Sequence, residues 1–159
     1  MKKYLLLAMA FASTTALANT QANTNATTTK EAKQPMMGLT TIDVGGKVAK
    51  SLNSTVYSLS KANTTQLCWE VINIPFTAKN KVTEVFTTPA KSKFTHPDAS
   101  VTTSNEDKTH TIVSHIPSVN NEFIRKCWKF DKTDPIGNYT LDLRINDIIF
   151  PTQKFSIVK

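Results

Sequence analysis

The chain has 159 residues, with nineteen lysines and arginines against twelve acids and a formal charge of +7. Only Arg125 and Arg144 are arginine and the lysines are scattered, so the stripe of arginine forks and stacking aromatics used on nucleic acid is missing. Four glycines, three of them before residue 47, leave no glycine-rich phosphate cradle, and no apolar run reaches the ~18 residues of a membrane-spanning helix.

The first residues, MKKYLLLAMAFASTTALANT, place Lys2 and Lys3 before a short apolar run, Tyr4 to Ala12, and then the small-x-small site Ala16 to Ala18. This is the pattern of a secretory signal peptide over residues 1–18, with no cysteine for lipoprotein processing. The expected address is a Gram-negative periplasm, or the medium beyond it. Cleavage leaves seventeen basic and twelve acidic side chains, a charge of +5. Residues 19–37 are rich in Thr, Asn and Ala and almost devoid of large apolar side chains, and read as a disordered spacer. A reading as a glycosylation acceptor stands beside that one. Residues 38–159 are enough for one domain.

From Ser54 onward the apolar residues recur with period two. STVYSLS, KVTEVF and HTIVSHI are short strand candidates. In QLCWEV, Leu67, Trp69 and Val71 alternate with Gln66, Cys68 and Glu70. In FIRKCWKF, Ile124, Trp128 and Phe130 share a side, which Lys126 interrupts. YTLDLRIN is the clearest strand, with Tyr139, Leu141, Leu143 and Ile145 on one face. Asn146-Asp147 then predicts a two-residue turn into IIFPTQKFSIVK, where Pro151 requires either an edge strand or a bulge. Clusters such as FTHPDAS, TSNEDK and DKTDPIGN separate the strands. The recurrence predicts an all-β, antiparallel two-sheet sandwich.

The stretch DPIGNY, with Asp134, Gly137 and Tyr139, resembles the tyrosine corner of immunoglobulin-like domains, although its acid lies three residues before the glycine. The resemblance covers residues 54–159 and implies a sandwich of about seven strands. Its tyrosine hydroxyl would bond back to the backbone. Both cysteines precede a tryptophan, and alternation sends Trp69 and Trp128 inward and Cys68 and Cys127 outward. The immunoglobulin-like strand order puts those two segments side by side in one sheet. The resemblance therefore implies a cross-strand Cys68–Cys127 disulfide on the outer face, with both tryptophans in the core beneath it. An exported chain with two cysteines and no Cys-x-x-Cys favours such a bond over a redox pair.

Signals for chemistry are sparse. His110 and His115 fall on opposite faces of one strand and His96 lies in a loop, so no metal site is expected. No Gly-x-Ser-x-Gly occurs, and Glu84, Asp98, Glu106, Asp107, Glu122, Asp131, Asp134, Asp142 and Asp147 are expected mostly at turns. No enzyme activity and no cofactor are expected. The candidate binding loops are NIPFTAKNK, with Phe76, Lys79 and Lys81, and PAKSKFTHPDAS, with Lys91, Lys93 and Phe94.

The function these features favour is a protein-binding module of the bacterial cell envelope, acting on an unidentified envelope or secreted protein as a monomer or weak dimer. Its alternatives are a periplasmic inhibitor or immunity protein, an assembly chaperone for secreted or pilus proteins, and a carbohydrate-binding module using Trp69 or Trp128.

Overall fold

The computed structural model describes residues 33–75 and 77–159. The signal-peptide reading, residues 19–32 of the spacer and Phe76 lie outside the described residues. The strands are β1 (Met36–Asp43), β2 (Lys50–Ser51), β3 (Val56–Ser58), β4 (Thr65–Ile72), β5 (Asn80–Thr87), β6 (Ala99–Ser104), β7 (Thr109–Ile116), β8 (Phe123–Trp128), β9 (Gly137–Ile145), β10 (Ile148–Ile149) and β11 (Gln153–Val158). One 3-10 turn, Leu59–Lys61, follows β3. No helix among the described residues is long and apolar enough to cross a membrane.

Two sheets form a β-sandwich. The smaller runs β2-β1-β4-β8, and the larger runs β3-β11-β9-β5-β7-β6 with β10 added on β9. All pairs are antiparallel except β3–β11. The core follows the period-two pattern. Tyr139, Leu141, Leu143 and Ile145 of β9 face Leu67, Trp69 and Val71 of β4, all essentially inaccessible to solvent. Full burial of each large aliphatic side chain is worth about 1.5–3 kcal/mol.

β1 begins at Met36, inside the stretch whose composition reads as disordered, because pairing with β4 from Met36↔Ile72 to Asp43↔Thr65 outweighs weak local propensity. β6 lies between two clusters read as loops. Neither strand shows an apolar alternation: β1 buries only Thr41 fully, and β6 has Val101 as its one large apolar residue.

With a single glycine after residue 46, asparagine supplies left-handed backbone at the turns: Asn53, Asn73, Asn105, Asn120, Asn121 and Asn146 all have positive φ. Asn146 serves the turn between β9 and β10. Beyond it the register slips. Ile149 opposes Arg144 whereas Gln153 opposes Leu141, so Phe150, Pro151 and Thr152 stand against two residues of β9. That is a one-residue β-bulge at Pro151. β11 itself is no edge strand over its last residues, because β3 pairs alongside it.

Gly137 has φ +142°, and a Cβ there would sit 3.0 Å from Pro89 carbons, so both backbone and neighbour require glycine. Two residues on, the Tyr139 hydroxyl donates to the Pro135 carbonyl at 2.6 Å. Burial first, and the nearby Asp134 second, raise the pKa of this hydroxyl above its ordinary value, so it stays a donor. Asp134 accepts the Asp131 amide at 2.8 Å, closing the loop before β9. Tyr139→Phe leaves the half-buried Pro135 carbonyl without its donor and is expected to cost about 1 kcal/mol, read as a lower urea midpoint at unchanged slope.

Candidate functional site

Lys126, the residue that interrupts the β8 alternation, does point into the core. Its partner is Glu84, mid-strand in β5 and fully buried. Glu84 therefore departs from the expectation that the acids sit at turns. Its Oε2 accepts Lys126 Nζ at 2.5 Å, and its Oε1 accepts both indole N–H groups, Trp69 and Trp128, each at 2.7 Å. One carboxylate of the larger sheet thus satisfies three donors of the smaller sheet. Lys126 also lies 4.5 Å from the Trp128 ring centre, a cation–π contact. Trp69 is 0% and Trp128 8% exposed, so neither ring offers a stacking platform for a glycan.

On the opposite face of the same strands, Cys68 and Cys127 are directly paired in register and joined in a disulfide, with Cα atoms 4.0 Å apart. Cys68 is covered because β4 lies between β1 and β8, while Cys127 on the outermost strand is exposed. Glu70 and Arg125, the next cross-strand pair on that face, form an ion pair. Arg125 stacks over the Phe123 ring at 5.1 Å.

Of the predicted binding-loop residues, Lys79, Lys81, Lys91 and Lys93 are exposed. Lys91 pairs with Asp107 at 2.6 Å, so its charge is shared within the fold. Phe94 is a correction. It is 7% exposed, stacked on Phe86 at 4.7 Å and edge-on to Trp128 at 5.5 Å, because the gap between the sheet edges exposes apolar core that an aromatic ring from the loop can seal.

His110, buried in β7, fastens the same loop. Its Nε2 lies 2.8 Å from Ser92 Oγ and 3.1 Å from the Asp107 carbonyl, and its Nδ1 lies 3.2 Å from Thr103 Oγ1. A carbonyl only accepts, so Nε2 carries the proton and Nδ1 accepts from Thr103. Ser92 in turn donates to Thr88 Oγ1. His110 is therefore no base for Ser92, and the pair is a latch. Desolvation, the largest influence, lowers the pKa of His110 from 6.5. The neutral form is favoured in the fold, so this contribution is intact above about pH 6.5 and is lost as pH falls through the lower folded value. Chemical denaturation between pH 7.5 and 5 is expected to show that loss, with a shallower slope in His110→Gln.

His96 lies in the loop before β6 and His115 on β7, and no group of three or more candidate metal ligands exists among the described residues. A Ser-x-x-Lys spacing does occur, from Ser58 to Lys61. Ser58 donates to the Lys159 carbonyl at 2.8 Å, and Lys61 is exposed.

The sheet edges differ in how they are defended. β2 has two residues and β3 three. β8 carries Arg125 and the inward-pointing Lys126. The rim formed by β10 and the start of β11 is broken by Pro151 and its bulge. Short edges, inward charges, prolines and bulges are the devices that prevent pairing with other chains. β6, Ala99-Ser-Val-Thr-Thr-Ser104, has none of them. It is six residues long, uncharged, free of proline and largely exposed.

Among known proteins, the chain is similar over its whole length to a Pasteurella multocida (strain Pm70) protein, "Uncharacterized protein PM0630": 29% identity over 161 residues, covering 100% of both chains. A solved structure of a Pseudomonas fluorescens alkylpurine DNA glycosylase, bound to DNA containing an abasic site analog, aligns with 79% of this chain and 30% of its own. Its identity is 10% and its TM-score 0.40. Residues 37–158 match the family described as PM0630 beta sandwich domain, and the chain belongs to that family.

Proposed function

We propose that this protein is a non-enzymatic, exported protein-binding module of the bacterial cell envelope, which takes an extended segment of its partner as an added strand on β6. The observation that carries the reading is the contrast with β2, β3, β8 and the β10–β11 rim, which are short, charged or interrupted, whereas β6 is left open along six residues. Strand addition supplies affinity through main-chain hydrogen bonds, and a regular six-residue edge suits it. Export to the periplasm or beyond is supported by the leader sequence and by the disulfide, which oxidising compartments favour. An immunoglobulin-like sandwich is supported by the Tyr139–Pro135 bond and by the pairing of β4 with β8. An open edge favours an assembly factor for secreted or pilus proteins over an inhibitor that plugs an active site.

The test is capture from native periplasmic and envelope extract on immobilised residues 19–159, compared with Thr102→Pro and Thr103→Pro. Successive strand residues direct their N–H groups to opposite sides, so one of these two prolines removes a donor from the free edge. The expected result is a stoichiometric partner lost with that proline at preserved melting temperature. Equal capture by both folded variants would overturn docking at β6.

A further inference from the structure

We infer that, when no client is bound, two copies of this chain cover each other's open edge by pairing β6 with β6 about a two-fold axis through Val101. This rests on the reading of β6 as the docking edge and names its resting partner. An uncovered edge of this kind is an aggregation template, and a soluble domain that presents one needs a cover.

The strand suits itself. In an antiparallel pair, opposed residues lie on the same face of the sheet, so a two-fold normal to the sheet must pass through a residue. Through Val101, Val101 meets Val101, Ser100 meets Thr102 and Ala99 meets Thr103. Apolar or small residues then adjoin on the core side and hydroxyls on the outer side. The adjacent Asp98 falls opposite the uncharged Ser104. Through Thr102 instead, Asp98 would face Glu106 and repel it. No charged residue lies within β6 to oppose the contact.

The arrangement is closed. The far edge of the larger sheet is the three-residue β3, parallel to β11, which offers no second docking strand and so no route to a fibre. A single six-residue strand pair buries less than the roughly 1,200 Å² of a stable interface, so the dimer is weak and a client strand can displace it.

Sedimentation velocity on residues 19–159, from micromolar to millimolar concentration, should show a reversible shift from monomer to dimer and no larger species. Thr102→Lys, on the exposed outer side, should move that shift to higher concentration, since like charges then adjoin across the axis. Val101→Cys should give a covalent dimer under mild oxidation, because directly opposed residues lie about 4.5–5.5 Å apart at Cα, within disulfide reach. Thr83→Cys on β5 should not. A strict monomer at millimolar concentration, or a dimer indifferent to Thr102→Lys and uncrosslinked by Val101→Cys, would overturn self-pairing. Client capture by the proline pair is read separately, so docking can stand where self-pairing fails.

Discussion

Glu84→Ala is expected to lower stability by about 3–5 kcal/mol, the range for breaking a buried ion pair by removing one partner. That is a large share of the roughly 5–15 kcal/mol that holds a small domain together. The loss has three parts: Lys126 keeps a buried charge with no counter-ion, and the indole donors of Trp69 and Trp128 lose their acceptor. These parts can be separated. Glu84→Gln keeps an oxygen for the tryptophans and strands only the lysine. Adding Lys126→Met then removes the stranded charge, and the double variant should recover most of the stability lost by Glu84→Gln alone. Urea melts of the four proteins decide it. If Glu84→Gln were as stable as the parent, the Glu84–Lys126 pair would not be what ties the two sheets.

The second large effect is loss of the disulfide. Cys68 and Cys127 are 59 residues apart, and reopening that loop by replacing both with alanine should cost ~4 kcal/mol in the chain-entropy view. Because the two residues are already neighbours in the β4–β8 ladder, the native sheet needs no bridge to set its register. The double variant is therefore expected to keep the parent's near-ultraviolet tryptophan signal while its denaturation midpoint falls. A midpoint unchanged by the replacement would show that the unfolded chain gains nothing from release of the loop.

Residues whose side chains follow the pleat were legible in advance. Tyr139 to Ile145 announces β9, and the Cys-Trp pairs give both the face and the pairing of β4 and β8 once an immunoglobulin-like order is assumed. β1 and β6 were not legible, since an edge or near-edge strand built from Thr, Ser and Met carries no apolar period to detect. The Glu84–Lys126 clamp was half visible: Lys126 stood on the wrong side of its strand, and the question to ask was which acid could meet it there. Glu84 in KVTEVF occupies an inward position of its own strand, with Val82 and Phe86, and that parity was the available signal. Phe94 looked like a binding residue because its loop is full of lysines. Nothing local in the sequence says that the ring turns back to close the gap beside Trp128.

The bridge between Cys68 and Cys127 also matters for how the molecule carries load. A pull on the two ends of the chain passes from β4 to β8 through the sulfur atoms, and the stretch between them, which holds β5, β6 and β7, is left out of the path. At about 3.3–3.6 Å per residue, the bond locks away close to 200 Å of contour length. Under tension this domain can surrender its terminal strands, while the segment between the two cysteines stays coiled behind a covalent shortcut.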